Sequence, residues 1–139
     1  MVAYLYSSVL LRHILLGDSG IEHVFAVGQV ISSELLEIEC HRVLHCYRLQ
    51  NKLDDDGFIE ASNRLEQVLK AVSILLLSSK IKQRATEAFP VTVRTLDALH
   101  ISSALVFQEA RPEESLLIFS YDNGMNRCAK SLGFTVPFA

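Results

Sequence analysis

Short apolar runs alternate along the chain with longer stretches in which apolar residues recur every three or four positions. The first pattern predicts buried strands and the second predicts amphipathic helices. Val2–Tyr6 reads as a buried strand, after which Ser7 or Ser8 is placed to cap a helix carrying Leu10, Leu11, Ile14 and Leu15. Gly17-Asp18-Ser19-Gly20 breaks that helix, and a short helical piece follows. Val27–Ser32 is a second strand, and Glu34 to about Leu49 is a helix on which Leu35, Glu39, Val43 and Cys46 share a stripe. Asp54-Asp55-Asp56 puts negative charge at the start of another helix, where it suits the macrodipole; Phe58, Leu65, Leu69 and Val72 form its apolar stripe.

Ser73–Leu77 is the third strand, and Ser79 opens a helix that ends near Phe89-Pro90. Thr95 is placed to cap the helix Leu96–Ala110, and Leu116–Ser120 is the fourth strand. Asp122 caps a last helix with Met125, Ala129 and Leu132 on one face, Gly133 stops it, and Phe134–Val136 is a fifth, edge strand. Strand and helix in alternation predict an α/β fold with a parallel sheet and right-handed crossovers.

The chain's 139 residues fit one domain over 1–139, and a chain of this size buries close to ~70% of its unfolded surface without a staple. Half the residues are apolar, with only six glycines and three prolines, which excludes a disordered or low-complexity chain. Apolar runs are too short for a membrane span, no leader is recognisable at the N-terminus, and Cys40, Cys46 and Cys128 show no CxxC spacing. Buried free thiols in a reducing, cytoplasmic setting are the expectation. Thirteen basic residues against 16 acidic ones, a formal charge of −3, exclude a broadly basic nucleic-acid binder. A local nest of carboxylates is still compatible with that balance.

In open α/β sheets, sites collect beyond the carboxyl ends of the strands. Tyr6-Ser7-Ser8 follows the first strand, Glu39 lies in the first two turns after the second, Asp97 opens the helix from Thr95, and Asp122 follows the fourth. Glu39 sits on an apolar stripe and Asp97 within LDALHISSAL, settings in which a carboxylate needs a partner or a metal. Converging carboxylates suit a hard divalent cation, which activates water and stabilises phosphoryl charge. The plainer reading makes Asp122 an N-cap, Asp97 a complement to a helix dipole, and Glu39 the partner of Arg42 or Arg94.

These segments resemble the PIN-domain ribonucleases, and within them the VapC-type toxins of bacterial toxin–antitoxin pairs. AYLYSSVLLRHIL resembles the first strand and turn of that family, SSELLEIECHRVL the segment of its first glutamate, VRTLDALHISSAL its Leu-Asp-Ala-Leu-His motif, and LLIFSYDNGMNRCAKSLGF its closing strand, Tyr-Asp turn and helix. Glu39, Asp97 and Asp122 fall on the family's acids, in the family's order. The resemblance implies a five-stranded parallel sheet in the order 3-2-1-4-5, flanked by helices. It implies Mg²⁺- or Mn²⁺-dependent endonucleolytic cleavage of RNA, with tRNA or rRNA the usual targets, a cognate VapB-like antitoxin, and a homodimer.

Position 6 departs from the family. The resemblance places an aspartate there, in Asp-x-Ser, with Ser8 at the hydroxyl position; this chain has Tyr6. A phenol is neutral at pH 7, its ordinary pKa being about 10, and it is bulkier than a carboxylate. The expectation is weak metal binding and little RNA cleavage. Tyr6 is either an inactivating replacement of an aspartate or the mark of a naturally silent PIN-like module that binds RNA or antitoxin; an unrelated α/β binding domain is the third reading.

Among the remaining features, His41 and His45 stand at i, i+4 beside Cys40 and Glu37, a spacing zinc can use, but no third ligand is placed by spacing. Partly exposed helix histidines are the simpler expectation. His100, one turn beyond Asp97, either packs in its helix or orients that carboxylate. Lys80, Lys82 and Arg84 form a solvated basic run, while Arg12, Arg42 and Arg94 are the candidate RNA or antitoxin contacts. Phe58, Leu65, Leu69 and Val72 are interface or core.

Overall fold

The computed structural model describes residues 1–139. Its elements are β1 (Val2–Leu5), α1 (Ser7–Leu16), α2 (Gly20–Ala26), β2 (Gln29–Ser33), α3 (Leu35–Leu49), α4 (Asp55–Lys70), β3 (Ser73–Leu75), α5 (Ser79–Ala85), α6 (Thr95–Ala110), β4 (Leu116–Phe119) and α7 (Asn123–Ser131). All strand pairs are parallel, in the order β3-β2-β1-β4. The expected fifth strand is reduced to one parallel bridge, Leu117 to Thr135, on the outer side of β4. Gly133, at φ +91°, starts the segment late and Pro137 cannot extend a ladder, so only one pairing fits between them.

The central strand β1 is buried along its whole length, as a strand covered on both faces must be. Alternation sends Ala3 and Leu5 into one core with Val9, Leu10, Leu36, Cys40, Leu44 and Leu65. It sends Val2 and Tyr4, and Tyr6 just beyond the strand, into the other with Ile101, Ala104, Ile118 and Met125. Helices α1 to α4 therefore cover one face, and α6 with α7 the other.

Several boundaries differ from expectation for local reasons. β2 begins at Gln29, because Val27 still closes α2 and Gly28 turns with φ +138°, its missing Cβ leaving room for the Met1 carbonyl. β3 stops at Leu75, because the Leu77 N–H bonds the Glu34 carboxylate at 2.6 Å instead of the sheet. The caps are Asp54, Ser78 and Asp122, each accepting a backbone N–H. Neither Ser7 nor Ser8 caps α1, and Thr95 does not cap α6; the N-cap residues there are Tyr6 and Arg94. The buried stripe of α3 is Leu36, Cys40 and Leu44, one position away from the expected stripe. Leu65 and Val72 are core, with Phe58 and Leu69 packed against them. No helix is long and apolar enough to cross a membrane.

Candidate active site

The chain passes from β1 outward to β2 and β3, then returns across the sheet to β4. Beyond the carboxyl ends of β1 and β4 the connections diverge, leaving the crevice where α/β proteins place their sites. Tyr6 follows β1 and Asp122 follows β4 by way of Ser120 and Tyr121. Asp97 is in the first turn of α6, and Glu39 reaches in from α3. Tyr6, Glu39, Arg94, Asp97 and Asp122 line one cleft of about 440 Å³. An adjoining hollow of about 260 Å³ shares Arg94, Asp97 and Asp122 with it.

Each acid has one oxygen held by the chain. Asp122 Oδ1 accepts the Met125 N–H at 2.8 Å, and the Asp122 N–H in turn donates to Ser120 Oγ at 2.9 Å. Glu39 Oε1 lies 2.5 Å from His100 Nε2. Asp97 Oδ1 accepts the Tyr6 hydroxyl. The second oxygen of each carboxylate makes no hydrogen bond within the chain.

Tyr6 is almost wholly buried and its ring meets His100 edge-on, centroids 4.9 Å apart. Burial, then the hydrogen bond and charge of Asp97, then the charges of Glu39 and Asp122 hold its phenol far above the ordinary tyrosine range. The hydroxyl therefore stays protonated and donates a hydrogen bond to Asp97.

The other residues singled out in the sequence divide. Ser8 is beside the cleft, but its Oγ accepts the Tyr121 N–H at 2.9 Å and braces the turn after β4. Arg94 lines the cleft. Arg12 lies over the Tyr121 ring, 4.5 Å from its centre, and pairs with Asp18 at 3.8 Å, so it is engaged elsewhere. Arg42 is exposed, and neither it nor Arg94 pairs with Glu39; His100 does. His100 is buried in its helix, as the packing reading has it, and the carboxylate it meets is Glu39 rather than Asp97. Lys80 meets Glu109 at 3.9 Å and Arg84 stacks on Phe89.

Of the paired histidines, His45 is exposed and rests against Phe58. His41 pairs with Glu37 and with Glu66 of α4, at 3.8 and 3.9 Å. Glu37, His41 and Glu66 bring ligand atoms within 4.8 Å of one another, an acidic and histidine cluster a metal could use. Two residues on a helix turn about 200°, so Glu37 and His41 point away from the side of α3 that carries Glu39. Cys40 is buried, and burial with the nearby Glu39 charge pushes its thiol up to about 12. Cys46, against expectation, is exposed.

What sequence reasoning missed is Tyr4, whose hydroxyl is 2.7 Å from His100 Nδ1. The available signal was a tyrosine with an inward side chain on the strand that leads to the site.

A parallel α/β sheet with three carboxylates converging at its switch point defines the class of acid-lined α/β domains. The chain belongs to the PIN-domain family, whose profile matches residues 3–131. Proteins of this family are in general metal-dependent nucleases. No curated protein matches the chain by sequence. A solved structure similar in fold is VapBC2 from Rickettsia felis bound to a DNA fragment from its promoter. That match has a TM-score of 0.69 at 12% identity and covers 98% of this chain and 97% of the other.

Three carboxylates, each with a free oxygen, are a donor set for a hard divalent cation. With Tyr6 in place they do not fit one: a neutral hydroxyl takes an oxygen of Asp97, and a phenol rather than a carboxylate lines the cleft at position 6.

Proposed function

We propose that this chain is a VapC-like toxin, a PIN endoribonuclease by descent, in which Tyr6 has shut down catalysis. The observation that carries this reading is the Tyr6 hydroxyl on Asp97, in a cleft whose other acids, Glu39 and Asp122, are still in place. With aspartate at position 6, Mg²⁺ or Mn²⁺ would be held by that residue with Glu39, Asp97 and Asp122, and the substrate would be RNA, tRNA or rRNA in the first instance. Arg94 is the cation placed to meet a phosphate; Arg12 and Arg42 lie outside the cleft lining. The protein would act in the cytoplasm, as a homodimer, under a VapB-like antitoxin. The likeness to a toxin–antitoxin structure supports that partner.

The test restores the acid. Tyr6→Asp is expected to arrest growth on induction and to cleave RNA only with Mg²⁺ or Mn²⁺. The second reading, a naturally silent PIN-like module that binds RNA or antitoxin, is favoured by the completeness with which Tyr6 is buried and bonded. It gains the ground if Tyr6→Asp shows neither growth arrest nor cleavage while antitoxin affinity is kept.

A further inference from the structure

His100 is completely buried on α6, yet both of its ring nitrogens are used. A carboxylate only accepts hydrogen bonds, so Nε2 carries the hydrogen given to Glu39 Oε1 at 2.5 Å. In a neutral ring Nδ1 is then the acceptor, and the Tyr4 hydroxyl, 2.7 Å away, is the donor that matches it. Tyr4 is itself fully buried. The imidazole is also fixed in plane. Tyr4 and Tyr6 meet it edge-on at 89° and 73°, with centroids 5.9 and 4.9 Å away.

A buried polar ring costs free energy unless its nitrogens are paired, whereas a leucine in the same helix would pack without partners. Packing therefore accounts for the shape at position 100 but not for the nitrogens. The run of bonds starts inside the protein, at β1, and ends at a carboxylate on the cleft wall. It spans three elements that are distant in sequence, with separations of 96 and 61 residues.

We infer that Tyr4 and His100 are positioning residues, a buried relay that anchors Glu39 by one oxygen and leaves the other turned to the cleft. Asp122 has the same arrangement, with the Met125 N–H as its anchor. Asp97 differs, since its anchor is Tyr6. Two of the three acids are thus anchored by hydrogen bonds that do not come from position 6, although the Tyr6 ring packs on the His100 imidazole. The consequence for ion binding rests on the function proposed above; the relay does not.

Two measurements decide it. In the unaltered chain, a long-range ¹⁵N–¹H spectrum is expected to show the His100 hydrogen on Nε2, far downfield and slow to exchange, and Glu39→Ala is expected to abolish that protection. A ring with no hydrogen on Nε2, or protection that survives Glu39→Ala, overturns the relay. In a Tyr6→Asp background, Mn²⁺ affinity is expected to fall 10–100-fold in His100→Leu, the loss typical of an outer partner of a ligand. His100→Gln, whose amide can still donate to Glu39, is expected to recover most of it, and Tyr4→Phe, which keeps the ring of Tyr4, to fall in between. Equal affinity in the Leu and Gln variants overturns the positioning role. Should Tyr6→Asp bind no Mn²⁺ at all, the proposed function fails, while the imidazole spectrum still decides this inference.

Discussion

Replacing Tyr6 by aspartate has a cost that can be worked from the site. The side chain is 6% exposed, its ring packs on His100 and its hydroxyl satisfies Asp97. Removing a buried aromatic ring costs about 3–5 kcal/mol. The new carboxylate also stands beside Asp97 and across the cleft from Glu39 and Asp122, so without a cation it adds like-charge repulsion. At an effective dielectric of 20, two unit charges 4 Å apart repel by ~4 kcal/mol, and an open, solvated cleft takes up most of that. A net loss of roughly 4 kcal/mol corresponds to a fall of roughly 10–15 °C in melting temperature for a domain of this size. An ion that binds only the folded variant returns ~2.7 kcal/mol at a hundred times its Kd. The assay is a thermal melt of both chains in EDTA and in saturating Mn²⁺. The variant is expected to melt well below the unaltered chain in EDTA and to recover most of the difference in Mn²⁺, while the unaltered chain does not respond. If the two chains melt together in EDTA, or the unaltered chain gains as much from Mn²⁺ as the variant, the reading in which Tyr6 blocks the cation site is wrong.

Tyr6→Phe keeps the ring and removes the donor to Asp97; a bond to a charged group contributes about 1.5–3 kcal/mol, so chemical denaturation should show a loss in that range without any gain of activity. Gly20→Ala would push the ends of the Tyr121 and Asp18 side chains aside and break the hydrogen bond between them; losing such a bond costs about 0.5–1.5 kcal/mol, and a small fall in melting temperature is expected. Asp18 titrates below the ordinary carboxylate value of 3.8, chiefly because it accepts the Tyr121 hydroxyl. A carboxylate with a lowered folded pKa stabilises the fold above its unfolded pKa and loses that contribution as pH falls through the folded value. Tyr121→Phe is expected to raise the pKa of Asp18 in an NMR titration and to flatten the acid limb of stability below about pH 4. Of the three thiols, only exposed Cys46 is expected to react quickly with a disulfide reagent, since Cys40 is buried with its thiol pushed up to about 12 and Cys128 is buried and also raised.

Asp97 and Asp122 were legible because one opens a helix and the other follows a strand; Glu39, in the second turn of α3, was marked only by its apolar neighbours and by the family resemblance. The anchors were not legible. His100 sits in a helix that is apolar nearly all round, so periodicity gives it no direction, and its two partners lie 96 and 61 residues away. The stripe of α3 was misplaced by one position because Leu35 and Leu36 are adjacent, and only packing against α4 and α1 selects Leu36. The fifth strand had the right residues and the right place at the sheet edge, but flanking Gly133 and Pro137 left room for one bridge. At position 6 the sequence exposed the departure from the family; that the phenol would bond Asp97 required the third dimension.

The chain has no tryptophan and four tyrosines, so its ultraviolet emission comes from phenols alone. Two of the four, Tyr4 and Tyr6, belong to the site. A phenol bonded to a carboxylate gives up its proton in the excited state and emits weakly, and Tyr6 on Asp97 is in that condition. A diamagnetic ion such as Mg²⁺ or a peptide segment that draws the hydroxyl away from Asp97 lifts that quenching. A side chain that lines the cleft thereby serves as its optical reporter, readable without a label.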